Sequence, residues 1–127
     1  MLTTALCTRV LEGFDDHSLP PECWDLLLQR SDTDVVFLTW ALQRSWWETL
    51  GEGELLLIAA ERAGQVVALA PFYTKSGMVF FIGSSFEFDT LDFLGDISDP
   101  AVLDGLLQAA RDHVPNFQGF RFYFVSD

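Results

Sequence analysis

The clearest indication of the fold is ELLLIAAERAGQVVALAPFY, residues 54–73. Its two apolar runs, Glu54–Glu61 and Gln65–Tyr73, flank a tight turn at Ala63-Gly64. Two such runs joined by a short turn containing glycine are typical of a β-hairpin. The sequence therefore predicts two antiparallel strands here.

Downstream, a turn at Lys75-Ser76-Gly77 leads into the apolar run 78–82, which predicts a third antiparallel strand and hence a meander. Pro71 cannot donate a hydrogen bond to a ladder, so we expect it at an edge, at a bulge or where pairing ends. The stretch 83–96 is the least regular, and we expect a short extra strand and any local function there.

Upstream, the pattern predicts a strand over 6–11 and two helices. Ser18 is the expected N-cap of the first helix, with prolines in its first turn and an apolar stripe of Trp24, Leu27 and Leu28. Thr39 is the expected N-cap of the second helix, which Gly51 ends and whose predicted buried face consists of Leu42, Trp46, Trp47 and Leu50.

Near the C-terminal end of the sequence, Asp99-Pro100 predicts the start of a third helix, and Pro115 its end. Its expected buried stripe consists of Val102, Leu103, Leu106, Leu107, Ala110 and Val114. A last strand, 117–125, is apolar on both faces, which favours a central position in the sheet. The prediction is one α+β domain over 1–127, with a mostly antiparallel sheet flanked by helices in the order β-α-α-β-β-β-α-β.

Composition excludes several classes of function. The chain has 127 residues and a formal net charge of −12, which disfavours nucleic acid and anionic membranes as partners. No apolar run reaches the roughly 18 residues of a membrane span, and no leader pattern precedes Arg9, so we expect a cytoplasmic protein. Cys7 and Cys23 lack metal-ligand spacing, and we expect reduced core or near-surface thiols and no metal site. For Cys7 the sequence offers no histidine partner, which favours a buried, inert thiol over a nucleophile.

The element order, with a meander after two helices, is similar to the first part of the GNAT acetyltransferase fold. Four segments make the resemblance more specific, and they look like the N-terminal half of tandem GNAT proteins related to FemAB and to the CelD type of cellulose biosynthesis. These segments are 36–40 leading to Trp46-Trp47, 56–60, 67–72 and 89–94.

The resemblance implies an N-acyltransferase if the chain is an enzyme, with the acyl donor generally held by the other, C-terminal half. It also implies a phosphate-binding turn between the fourth strand and the next helix. Here that interval holds no basic residue and the carboxylates Glu87, Asp89, Asp92, Asp96 and Asp99, which repel phosphate. We therefore expect no cofactor in this chain alone, and acyl-CoA only if a partner completes the fold.

The candidate site residues each carry an alternative. Asp89 and Asp92 are candidate catalytic residues that would orient an amine or remove its proton, or else they lie in a solvated turn. Tyr123 is a candidate general acid or a packing residue on the sheet. Trp46, Trp47 and Glu87 are candidate substrate-binding residues, with core or interface packing as the alternative for the two tryptophans.

A central last strand needs a neighbour beyond it, so we expect a homo-oligomer or a partner protein that completes the sheet. The alternative from another class is a non-catalytic, acidic module that binds a basic protein. A third hypothesis is an acyltransferase fragment whose catalytic half lies on an adjacent polypeptide.

Overall fold

The computed structural model of the chain describes residues 6–30, 38–82, 93–95, 97 and 99–120. Within them the protein is an α+β fold with three helices and a mostly antiparallel sheet. The helices are α1 (Pro21–Gln29), α2 (Trp40–Leu50) and α3 (Pro100–His113). The strands are β1 (Leu6–Val10), β2 (Glu54–Arg62), β3 (Gln65–Lys75), β4 (Met78–Phe81), β5 (Leu94–Gly95) and β6 (Gly119–Phe120).

The sheet confirms the predicted meander. Its order is β1-β2-β3-β4-β6, with the short β5 paired to β3 beside that path. Ala63-Gly64 joins β2 to β3, and Ser76-Gly77 joins β3 to β4. In each turn a non-glycine residue and the glycine after it both have positive φ. Two consecutive residues with positive φ are the signature of hairpin turns whose twist matches that of the strands.

Pro71 lies within β3, opposite Leu57 of β2. Its carbonyl oxygen accepts a hydrogen bond from the Ile82 amide at 2.8 Å, just beyond the last β3–β4 pair, Phe72 with Phe81. The missing N–H of Pro71 therefore lies between the part of β3 that pairs with β4 and the part that pairs with β5, which begins at Leu69. Pro71 was expected at an edge, at a bulge or where pairing ends, and the third of these is confirmed for the pairing of β3 with β4.

Both faces of the sheet are covered, which explains why β2 and β3 are apolar at nearly every position. One core lies beneath α1 and α2 and contains Trp24, Leu57, Leu69 and Tyr73. The other lies beneath α3 and contains Ile58, Phe72, Phe81 and Leu106. Because successive side chains of a strand point to opposite faces of the sheet, neighbouring residues lie in opposite cores.

The α3 prediction is confirmed. The Asp99 carboxylate caps the helix by accepting a hydrogen bond from the Ala101 amide at 2.9 Å, and Val102, Leu106 and Ala110 are buried. The helix leads to β6, which pairs in parallel with β4. Within the described part of the chain β6 has β4 as its only neighbour, and residues 121–125 of the predicted last strand lie outside that part.

Two details of the first helices were predicted wrongly. Pro20, and not Ser18, is the N-cap of α1, because the Ser18 hydroxyl bonds to the Asp16 carboxylate instead. In α2 the side chains of Leu42 and Leu50 are 40 % and 52 % exposed, while Gln43 is buried. Position 43 shares a helix face with both tryptophans, three and four residues further on, and that face is the one turned to the sheet.

Candidate functional site

The predicted tryptophans of α2 pack on one tyrosine of the sheet. The ring centroid of Tyr73 lies 5.6 Å from that of Trp46 and 5.7 Å from that of Trp47. On its other side Tyr73 stacks on Phe80 of β4 at 5.1 Å with an interplanar angle of 15°. These four residues form a continuous aromatic cluster that joins α2 to β3 and β4.

The two tryptophans differ in exposure. Trp46 is buried, with 8 % of its surface exposed, and its indole Nε1 has no hydrogen-bond partner in the described residues. Trp47 and Phe80 are half-buried and form the accessible rim of the cluster. Within this cluster, Trp47 and Phe80 are therefore the residues whose aromatic surface is accessible. Binding of a substrate by Trp46 and Trp47 stays a prediction.

The other candidate residues cannot be placed relative to this cluster. Glu87, Asp89, Asp92 and Tyr123 lie outside the described residues. The described residue that follows Asp92 is Phe93, and its ring contacts that of Phe81 at 5.0 Å on the opposite, α3 side of the sheet. The assignment of these four residues to catalysis or substrate binding therefore stays a prediction.

Four of the six described basic side chains pair with separate carboxylates. Arg9 pairs with Glu61, Arg44 with Asp15 and Glu48, Arg62 with Asp99, and Lys75 with Glu52. The contact between Arg44 and Glu48 and the charge of Asp15 raise the pKa of the Arg44 guanidinium, and the contact with Glu52 raises the pKa of the Lys75 ammonium. A polyanionic ligand would have to compete with these carboxylates for Arg9, Arg44, Arg62 and Lys75, whereas Arg30 and Arg111 have no ion pair in the described residues.

Two grooves flank α1. One, of about 340 Å³, lies between α1 and the β2–β3 turn and is lined by Ser18, Cys23, Leu26, Arg30 and Val66, among others. The other, of about 280 Å³, lies between the loop 14–17 and Trp40. The first brings together residues from two stretches that are far apart in the sequence, 18–30 and 64–66, so no local motif could have indicated it.

Both cysteines are exposed and unbonded. The prediction of a buried Cys7 was wrong, since Cys7 is exposed on β1, which in the described residues is the first strand of the sheet order and pairs with β2 alone. In the described residues there is no group of three or more His, Cys, Asp or Glu side chains that could hold a metal ion.

Asp16 organises the loop before α1. Its carboxylate accepts hydrogen bonds from the Ser18 hydroxyl, the Glu12 amide and the Ser18 amide. Those bonds, with a smaller contribution from the Arg9 charge, lower the pKa of Asp16 from 3.8 to about 2. The loop is therefore held by a carboxylate that must stay ionised.

We expect Asp16→Asn to destabilise the protein at neutral pH by about 1 to 2 kcal/mol, since one pKa unit corresponds to about 1.4 kcal/mol. The folded-state pKa is depressed, so the stabilisation is present above pH 3.8 and is lost as the pH falls towards 2. Urea unfolding at a series of pH values measures the difference between variant and parent. Asp104→Asn, an exposed change on α3, is the control, and a difference for Asp16→Asn that stays constant between pH 4 and 2 would contradict the assignment.

Comparison with protein-family models, with curated proteins and with solved structures found no match to this chain. A search of the described residues for a helix long and apolar enough to cross a membrane found none.

Proposed function

We propose that this chain is a GNAT-like half domain, related to the N-terminal part of FemAB/CelD-type acyltransferases, that lacks its own acyl-CoA site and works as a dimer or with a partner subunit. If it takes part in catalysis, the reaction is N-acyl transfer, with acyl-CoA bound only in the completed assembly. Its free, exposed thiols fit a reducing compartment, and we place it in the cytoplasm.

The observation that carries the proposal is the order of the elements. Two helices separate β1 from a meander of β2, β3 and β4, and α3 then returns the chain to β6, parallel to β4. This is the element order on which the resemblance is based, with β5 as a two-residue addition. The open end of a sheet at β6, in the described residues, is where a second subunit would continue it.

Electrostatics support the absence of an acyl-CoA site from the chain alone. Coenzyme A carries a diphosphate and a further phosphate, and a site for it needs cations or free backbone amides. Four of the six described cations, Arg9, Arg44, Arg62 and Lys75, are each paired with a carboxylate, and the other two lie apart, Arg30 at the end of α1 and Arg111 on α3. The remaining charge is strongly negative, at −12 for the whole chain.

Calorimetric titration with acetyl-CoA tests this proposal. We expect no binding to the purified chain, and binding with a Kd of roughly micromolar strength to the complex purified with its partner. Micromolar binding to the chain alone would contradict the missing site. Absence of binding to the complex would contradict acyl transfer and support the alternative below.

The alternative is a non-catalytic acidic module that binds a basic protein. It is favoured by the net charge of −12 and by exposed carboxylates such as Glu22, Asp104 and Asp112, while four of the described cations are already held in internal ion pairs. In that case a complex with a basic partner would dissociate as salt is raised, because exposed charge pairs are screened.

A further inference from the structure

We infer that the groove between the loop 14–17 and Trp40, called the Trp40 groove, holds a lysine or arginine side chain of a basic protein partner. Its volume is about 280 Å³, and it is lined by that loop, by Pro20 and Pro21 at the start of α1, and by Trp40. The inference rests on the alternative function, a module that binds a basic protein, and gives that function a site. It requires no acyl donor.

The aromatic wall of the Trp40 groove is fixed in place. Trp40 is half-buried and stands edge-on to Phe14, with ring centroids 6.3 Å apart and an interplanar angle of 80°. Its indole Nε1 donates to the Phe14 carbonyl at 2.9 Å, and its backbone amide donates to the Asp25 carboxylate at 2.9 Å. Because the wall is already ordered, a ligand loses little free energy in shaping it.

The ion pairs around the loop 14–17 leave an excess of negative charge. Two arginines contact four carboxylates there, Arg44 with Asp15 and Glu48, and Arg9 with Asp16 and Glu61. The Asp15 side chain, on the groove wall, stays 77 % exposed in spite of its ion pair. A cation that enters the groove therefore finds an accessible carboxylate in a negative field.

The start of α1 disfavours an anion in the same groove. Pro20 and Pro21 have no N–H, and the amides of Cys23 and Trp24 already donate to the Pro20 carbonyl. Glu22 adds a carboxylate in the first turn. This helix N-terminus therefore offers few of the free amides that bind anions at other helices, so the charge of the groove selects a cation.

A long basic side chain matches both the apolar walls and the charge. Lysine and arginine lay an aliphatic stem along apolar surface and keep the charged head in a polar environment. Arg44 makes such contacts within the chain, since its guanidinium carbon lies 5.0 Å from the Trp40 ring centroid and its Nη1 lies 2.7 Å from the Asp15 carboxylate. The groove is slightly smaller than the roughly 300–1,000 Å³ of small-molecule sites, which suits one side chain of a protein segment.

An NMR titration with a glycine-serine peptide that carries a central pair of arginines tests the inference. We expect the Trp40 indole N–H resonance to shift, with a Kd of about 1 mM or tighter at low salt. The same peptide with citrulline in place of arginine keeps the shape without the charge and should leave that resonance unchanged. Trp24, which is 1 % exposed, is the internal reference. An arginine peptide that does not bind overturns both the groove and the acidic module.

Two matched pairs of variants locate the binding. Asp15→Asn removes a carboxylate from the groove wall and should weaken peptide binding about three- to fivefold, as expected for one exposed ion pair. Asp104→Asn removes the same charge from an exposed position of α3 and should have a much smaller effect. Arg44→Gln releases Asp15 from its internal partner and should tighten binding about threefold, with Arg111→Gln on α3 as its control. Circular dichroism checks that all four variants fold.

The outcomes separate the groove from the general charge of the surface. Equal changes for Asp15→Asn and Asp104→Asn would show that binding follows the charge of the whole chain, which overturns the groove and leaves the acidic module in place. Equal shifts with the citrulline peptide overturn the inference as well, because the charge of the side chain is then not recognised. Neither result bears on acetyl-CoA binding to the complex.

Discussion

Replacement of Trp24 by alanine should lower the free energy of unfolding by about 3 to 5 kcal/mol. The side chain is 1 % exposed, its ring lies 5.4 Å from that of Phe14, and its indole Nε1 donates to the Leu38 carbonyl at 2.9 Å. The substitution thus opens a cavity under α1 and leaves a carbonyl without its donor. Urea unfolding followed by circular dichroism measures the loss.

Two further variants separate the causes. Leu26→Ala lies on the same helix but at a position that is 49 % exposed, so its cost should stay below about 1 kcal/mol. Trp24→Phe keeps much of the ring and removes the donor to Leu38, and should cost about 1 to 3 kcal/mol. Equal losses for Trp24→Ala and Leu26→Ala would show that α1 is not packed as described.

Replacement of Phe72 by alanine should cost a similar amount, about 3 to 5 kcal/mol, on the opposite face of the sheet. The Phe72 ring lies 5.3 Å from that of Phe81, 5.7 Å from that of Phe93 and 6.1 Å from that of Phe120. Its loss therefore loosens β4, β6 and the segment leading into β5 together. Thermal and urea unfolding should both record a large shift.

Phe117→Ala is the matched control, since it removes the same side chain from a half-buried position. Its cost should be clearly smaller, because less apolar area returns to water. If the two variants lose equal stability, the α3 core does not depend on Phe72 as its geometry indicates.

The parts of the fold that follow local rules could be predicted. The hairpin depends on Ala63-Gly64, and α3 begins where an aspartate cap precedes a proline; both are properties of adjacent residues. The exposed Leu42 and the parallel pairing of β6 with β4 depend on residues far apart in the chain. Tertiary packing decides such features, and a periodic pattern in one segment does not contain them.

The candidate site could be predicted only as residue types. The sequence singled out Trp46 and Trp47, yet their shared partner Tyr73 became evident only when α2 was placed on β3. Likewise, the groove that joins Cys23 and Arg30 to Val66 exists only in the folded chain. The pairing of Arg9 with Glu61, of Arg44 with Asp15 and of Arg62 with Asp99 depends equally on segments brought together by the fold.

The separation of the two apolar layers by β2 and β3 has an evolutionary consequence. Trp24 and its neighbours share no ring contact with Phe72 and its neighbours in the described residues. Substitutions without common partners act nearly independently. A lineage could therefore replace the side chains beneath α1 and α2, and with them the accessible grooves, while inheriting the layer beneath α3 unchanged.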